Sequence, residues 1–324
     1  MSVSGSSAGS GQSEAIASGA VLRRATRATR LRAAECLVSA SARDPGAGQR
    51  FLDMAAAHGI DISQLWFRTE QGSERPSEAC LLAPGSGRSG MLFTSTPADA
   101  SGEAALAELI AKVCERSEGV RLAQALLEPG EAPARRSFEM AGFRLVGKLA
   151  YMRRRMPGKG EFSAALTRQG WPEGVVARGF VSTDEPGLAD LLERTYIDTL
   201  DCPELCGLRD TRDVIESHKA AGRFDPKLWW VLELEGRPEG VLLLNPSPEQ
   251  DTVELVYLGL APVARGRGLG RRMMELGLGL VAGRPERHVT CAVDERNAPA
   301  RGLYESLGFE RFAQRIALVK PIER

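Results

Sequence analysis

The chain repeats itself once, and that repeat constrains its folding more than any other feature. Ala132–Arg144 reads APARRSFEMAGFR and Ala298–Glu310 reads APARGLYESLGFE, an offset of 166 residues (132 to 298). Both copies carry Ala-Pro-Ala-Arg, then an aromatic six residues after the first Ala, Glu directly after that aromatic, and Gly-Phe. Proline suits the first turn of a helix, where its missing N–H is not needed, and glycine suits the end. Each copy therefore reads as a short helix leading into a strand. An offset of about half a 324-residue chain points to two copies of one domain, not to a solenoid.

The rest of the pattern fits that division. Met156–Gly174 (MPGKGEFSAALTRQGWPEG) is rich in Gly, Pro and polar residues and has no clean period. The expected organisation is a disordered Ser/Gly/Ala-rich tail over 1–20, a first domain over 21–156, a linker over 157–172 and a second domain over 173–324. In the second half, GVVARGFVST reads as a strand, and EPGLADLLERTYIDTL and TRDVIESHKAAG as helices. LWWVLELEGRPEGVLLLNPSP reads as a hairpin turning at Glu235–Glu239, TVELVYLGLAP as a strand, GLGRRMMELGLGLVAGR as a helix and HVTCAVD as a strand. The same order is weaker in the first half. The fold class expected is α/β, a mixed twisted sheet with helices on both faces, in tandem.

Composition removes several partners. The 42 basic and 42 acidic side chains leave no excess charge for nucleic acid or an anionic membrane. No apolar run reaches the ~18–20 residues of a membrane span. The five arginines in Val21–Ala40 read as a solvated basic helix turn, with an organelle transit peptide as the alternative. Six cysteines (Cys36, Cys80, Cys114, Cys202, Cys206, Cys291) are too sparse for a disulfide scaffold and imply a reducing, cytoplasmic setting. Cys202 and Cys206 lack the further ligands of a zinc site, so no metal is expected.

The chemistry is concentrated in Ala261–Glu275, APVARGRGLGRRMME. A strand ends at Leu260, Pro262 stops it, and a helix starts near Leu269, so a glycine-rich loop sits at a helix N-terminus. Unpaired amides and the positive end of the helix dipole favour an anion there. Gly266, Gly268 and Gly270 let phosphate oxygens reach the main chain, and Arg265, Arg267, Arg271 and Arg272 add charge. No Lys-Ser/Thr follows Gly270, and Arg271 stands where a third fingerprint glycine would fall. Walker and dinucleotide loops are both excluded. An ordinary basic helix cap is the alternative reading.

With that loop, Asn297 opening the next helix, and LYESLGFE after it, the chain resembles the GNAT superfamily of acyl-CoA-dependent N-acyltransferases, over about Gly174–Arg324. The resemblance implies that the amides of Arg265, Gly266, Arg267, Gly268, Leu269 and Gly270 hold the pyrophosphate of acetyl-CoA. It also implies that the Leu258–Leu260 strand edge pairs with the pantetheine arm, and that Asn297 helps fix the cofactor. Tyr304 matches the family's usual acid, and a phenol of ordinary pKa ~10 can protonate a departing thiolate. It reads alternatively as a core aromatic. Tandem members of the family place a catalytic Glu eight residues before the equivalent Pro, as Glu254 stands before Pro262. Alternation groups Glu254, Val256 and Leu258 on one face, and Val253, Leu255 and Tyr257 on the other. A carboxylate among apolar neighbours has its pKa raised; the alternative is a solvated sheet-edge Glu.

Tyr196, Asp198 and Asp201, in the loop between two helices, are candidates to bind a cationic amine, although Asp201 equally suits a turn cap before Pro203. The acceptor expected is an amine, on a small molecule or a protein N-terminus. Attack on the thioester is expected to be direct, because no Cys stands beside a His. A non-catalytic acyl-CoA sensor is the second reading. At least one of Trp229 and Trp230 should be core, His218 reads as helix surface, and His288 as the start of a strand. Sliding by 166 sets Asp99, Gly102, Glu103 and Ala104 of the first half opposite Arg265, Gly268, Leu269 and Gly270. The same slide sets Phe138 opposite Tyr304, Glu131 opposite Asn297 and Arg88 opposite Glu254. The first domain is therefore expected to be degenerate and supporting.

Overall fold

The computed structural model describes residues 13–15, 20–38, 44, 46–166 and 171–322. The first half contributes β1 (Ser13–Ala15), β2 (Val21–Arg24), α1 (Arg30–Val38), α2 (Ala47–Ala57), β3 (Leu65–Thr69), β4 (Pro76–Gly85), β5 (Ser89–Thr94), α3 (Ala100–Arg116), β6 (Leu122–Leu127), α4 (Ala132–Met140) and β7 (Arg144–Arg155). The second half contributes β8 (Val175–Gly179), α5 (Glu185–Tyr196), α6 (Thr211–Ala220), β9 (Trp229–Leu234), β10 (Arg237–Ser247), β11 (Thr252–Leu260), α7 (Leu269–Val281), β12 (His288–Asp294), α8 (Ala298–Ser306) and β13 (Glu310–Pro321).

The chain divides into two compact units, Met1–Leu145 with Leu318–Arg324, and Val146–Ala317. This division falls earlier than the expected junction at 156, because β7 pairs antiparallel with β12 from Leu149↔Asp294 to Arg155↔His288. Most of the tail expected over 1–20 lies outside the described residues, but Ser13–Ala15 pairs with β2 as a strand. The Arg-rich segment after it starts as strand β2 before helix α1 begins at Arg30. Within the linker expected over 157–172, Phe162 and Trp171 pack against the core of the second unit, while 167–170 lie outside the described residues.

In the first unit the strand order is β1-β2-β3-β4-β5-β6, followed by the last residues of β13. β5 and β6 pair in parallel. Ala33, Ala34 and Leu37 of α1 pack on Leu65, Phe67, Ala79 and Leu81 of β3 and β4. In the second unit the order is β13-β7-β12-β11-β10-β9-β8, with β11 and β12 parallel. Helices cover both of its faces. Leu269, Met273, Leu276 and Val281 of α7 pack with Leu242, Leu244, Val253 and Leu255 on one side. On the other, Leu188, Leu191 and Leu192 of α5 and Ile215 of α6 pack with Trp229, Val231, Val241 and Leu243.

The Trp229–Trp230 pair splits as alternation requires. Trp229 is fully buried and its indole Nε1 donates to Asn245 Oδ1 at 2.8 Å. Asn245 in turn donates to the His218 and Ala221 carbonyls, each at 2.7 Å, which satisfies the end of α6 from inside the core. His218 is not on a helix surface. Its ring stacks on Tyr257 at 5.5 Å and its Nε2 is buried without a hydrogen bond, so burial first and the nearby Arg209 charge second push its pKa down to about 4. Ser217, Lys219 and Glu216 carry the polar contacts of α6 instead.

Candidate active site

A fault in β11 creates the site. Against β10, Leu243 faces Tyr257 but Leu244 faces Leu255, so Val256 is an extra residue. The bulge changes the faces expected from simple alternation. Val253, Leu255, Leu258 and Leu260 belong to the α7 side, whereas Val256 and Tyr257 pack on the α5 side. The parallel pairing of β11 with β12 ends at Glu254↔Thr290. Beyond that point lies a cavity of about 500 Å3, walled by Leu255–Leu260 on one side and by Ala292, Val293, Asn297, Leu303 and Tyr304 on the other. Gly266, Gly268 and Gly270 close one end.

The loop has the conformation its glycines permit. Gly266 (φ 70°) and Gly268 (φ 74°) lie in the left-handed region, and a Cβ at either would point into open space. Backbone geometry, not crowding, requires glycine there. Gly268 is the residue before α7; no side chain caps the helix and no acid stands in its first turn. The first amide of this helix to meet a carbonyl is that of Arg272, 3.3 Å from Gly268 O. Among the described residues, the amides of Leu269, Gly270 and Arg271 are thus available to an anion.

Arg265 works differently from its expected role. Its amide donates to Pro262 O at 3.2 Å. Its guanidinium donates to the carbonyls of Leu260 (2.9 Å), Thr195 (2.9 Å) and Asp198 (3.2 Å). The side chain ties the end of β11 to the end of α5, which removes it from the set of anion ligands. Arg267 is exposed beside the loop and does not line the cavity. Asn297 lines it and accepts from the Ala300 amide at 3.2 Å as the cap of α8.

Tyr304 lies in the same cavity as the loop, 6% exposed, its ring 5.8 Å from that of Phe309. Burial, with Cys291 and Asp201 nearby, pushes its phenol well above the ordinary value, so it stays protonated. Glu254 does not line that cavity. It lines a neighbouring one of about 330 Å3 with Tyr151, Arg153, Thr290, Cys291 and Phe312; Ala292 lines both. Glu254 is half-buried, and burial raises its carboxyl above its ordinary value. Glu254 and Cys291 line one cavity and Tyr304 the other, and Ala292 of β12 is their shared border. The Cys291 thiol is itself held neutral by burial and neighbouring carboxylates.

The candidate acceptor residues are already engaged. Tyr196 meets the Tyr257 ring at 6.0 Å in the core, and burial raises its phenol to about 12. Asp198 (φ 51°) is exposed and gives its carbonyl to Arg265. Asp201 lines the cavity; burial of its carboxyl raises its pKa, and the carboxyl accepts from the Asp294 amide at 2.7 Å. That contact exposes a cluster the sequence did not reveal. Burial pushes the Asp294 carboxyl up, but the Arg296 side chain and backbone outweigh it and hold the group low. Arg296 also grips Glu204 through two bonds of 2.6 and 2.8 Å. The loop between α5 and α6 is thereby pinned to the end of β12. Only the sequence D-E-R, Asp294–Arg296, hinted at it, and its partners lie 92 and 93 residues away.

Chemically, the arrangement can hold an anionic group at the α7 N-terminus and an apolar arm along β11, with a proton donor in the same cavity. Comparison with known proteins gives the family. The acetyltransferase (GNAT) family model matches residues 192–309. The chain is 32% identical over 268 residues to a mycothiol acetyltransferase of Beutenbergia cavernae, covering 75% of this chain and 88% of that one. It is 34% identical over 152 residues to a mycothiol acetyltransferase of Thermomonospora curvata, spanning 46% and 49% of the two chains. The crystal structure of a GCN5-related N-acetyltransferase from Sphaerobacter thermophilus shares the fold, with TM-score 0.57 over 94% of this chain and 96% of that one at 17% identity. The chain belongs to the GNAT acetyltransferase family. Among the described residues, no helix is long and apolar enough to cross a membrane, and no side-chain cluster suits a metal.

Proposed function

We propose that the second unit transfers the acetyl group of acetyl-CoA to an amine by direct attack in a ternary complex. The observation that carries this reading is Tyr304, a buried neutral phenol, in one cavity with the open amides of the α7 N-terminus. Acetyl-CoA supplies the activated acyl group. Gly266, Gly268, Leu269 and Gly270 hold its diphosphate, and Leu258 and Leu260 border its arm. Arg265 and Asn297 keep the walls in place.

The amine arrives as an ammonium and must lose a proton before it can attack. Glu254, with its raised pKa, takes that proton directly or through one water. The amine therefore enters through the Glu254 cavity and meets the thioester near Ala292, which borders both spaces. As the C–S bond breaks, Tyr304 gives its proton to the departing thiolate and regains one from the nitrogen of the new amide. Cys291, a neutral thiol, takes no covalent part. In this reading Asp198 and Asp201 shape the wall of the cofactor cavity, Tyr196 packs in the core behind it, and the first unit is a supporting, degenerate copy. The six cysteines are all unpaired, which suits a reducing cytoplasmic compartment.

Incubation with acetyl-CoA and a panel of amines, following free thiol, tests the reading. Acceptor-dependent release that collapses in Tyr304→Phe supports it. Tight acetyl-CoA binding without turnover on any amine replaces it with the sensor.

A further inference from the structure

The Glu254 cavity also restricts which amine can enter. Its volume of about 330 Å3 lies at the small end of ligand pockets, enough for a small molecule. Tyr151 and Phe312 form an edge-to-face aromatic wall with centroids 6.3 Å apart. The Arg153 guanidinium lies over the Phe312 ring, 5.2 Å from its centroid, and both residues are exposed, as the mouth of the pocket must be. Thr252, His288 and Thr290 supply hydrogen-bonding groups along the sides.

The charges are unevenly placed. Glu254 is the only carboxylate in the lining. Among the described residues Arg153 has no carboxylate within ion-pair distance, and its guanidinium faces the Phe312 ring. An ammonium at Glu254 is therefore welcome once. A second ammonium at the other end of the same molecule would meet like charge and no second carboxylate, whereas an oxygen acceptor or an anion would meet a guanidinium with donors to spare.

We propose that this cavity takes a small monoamine whose far end is anionic or hydroxyl-bearing, that Arg153 holds that end, and that polyamines are rejected. The inference rests on the acetyl-transfer reading above, because that reading puts the reacting amine at Glu254. Arg153 is then a specificity-determining residue, remote from the bonds that change.

A matched series tests it: 6-aminohexanoate, 6-amino-1-hexanol and 1,6-diaminohexane, identical at the reacting amine and different only at the other end. Binding is read by ligand-observed NMR, and turnover separately as thiol released from acetyl-CoA. The carboxylate and alcohol should bind better than the diamine by up to about fivefold, the range of one exposed charge contact. Arg153→Gln should level the series and Arg153→Glu should reverse it, through KM for the amine, with kcat and the KM for acetyl-CoA unchanged. Preference for the diamine, an order that Arg153→Glu leaves intact, or no binding by any member overturns the proposal. If the binding order holds and no member is acetylated, the acetyl-transfer reading fails and the pocket's selectivity stands. Turnover without discrimination has the opposite meaning.

Discussion

The two units carry corresponding helices, α3 and α7, whose N-termini have opposite fates. The following strands, β6 at Leu122 and β12 at His288, keep the 166-residue offset. Yet α3 is 17 residues long and α7 only 13. The additional first turn of α3 occupies the positions where the second unit has its glycine loop. Asp99 caps that turn by accepting from the Gly102 amide at 2.9 Å. Glu103 adds a carboxylate, held below its ordinary value by the Arg136 guanidinium through bonds of 2.8 and 2.5 Å. Asp99 satisfies one orphan amide of α3, whereas no side chain caps α7. The lesson is that a helix N-terminus binds an anion only where the chain refrains from capping it.

The remaining correspondences follow the same course. Phe138 is fully buried with Phe143 at 5.0 Å, as Tyr304 sits with Phe309, so the two aromatics share an environment and differ by one hydroxyl. Opposite Glu254 the ladders place Met91, not Arg88, because Met91↔Gln124 and Glu254↔Thr290 are the third pairs of their parallel ladders. Arg88 lies in the turn before β5 with φ 50°. The straight slide by 166 fails there because β5 is 6 residues long and β11 is 9.

Making the second unit resemble the first should produce the largest effects. Tyr304→Phe should reduce kcat by about 10²–10⁴-fold, the usual contribution of a proton donor. Its acetyl-CoA affinity should be nearly unchanged, read by steady-state kinetics and calorimetry together. Gly268→Asp should weaken acetyl-CoA binding by about a hundredfold or more, since it caps α7 and sets a like charge against the diphosphate. Its φ of 74° adds strain of about 1–2 kcal/mol, visible as a lower Tm. Unchanged affinity in this variant would remove the diphosphate from the loop. Conversely, Asp99→Gly with Glu103→Leu should confer no acetyl-CoA binding on the first unit, because its helix already fills the loop positions.

Smaller effects sharpen the picture. With Glu254 raised and Tyr304 raised further beyond its ordinary range, kcat/KM should climb with pH above the usual carboxylate range and show no fall near pH ~10. Glu254→Gln should remove that enzyme-borne limb and leave only the titration of the amine. Asp294→Asn should cost about 1–3 kcal/mol by leaving part of a buried network unmet. In the parent chain, Asp294 is depressed, so its stabilisation is present above its unfolded pKa and disappears as the pH falls through the lower folded value. His218→Phe should keep the stack on Tyr257 and change stability at pH 7 by less than about 1 kcal/mol. His218 titrates at about 4 when folded, so its stability contribution is complete above the unfolded value near 6.5 and is lost below it. The variant should escape that loss in denaturant titrations at pH 7 and pH 5.

Local information made much of this protein legible. The strand–loop–helix around Gly268, the Pro299 helix carrying Tyr304 and the burial of Trp229 depend on periodicity, caps and glycine conformation, which neighbouring residues dictate. The Ala-Pro-Ala-Arg repeat likewise revealed two copies. What the tertiary structure alone decided depends on partners distant in sequence. The bulge at Val256 moves Tyr257 to the other face, and only pairing with β10 creates it. Arg265 turns inward because Thr195 and Asp198 present carbonyls to it, 70 and 67 residues away. Glu254 and Tyr304 line adjoining spaces because β11 and β12 part beyond Thr290. Propensity is a property of a short segment, whereas the direction of a side chain is set by whatever the fold brings against it.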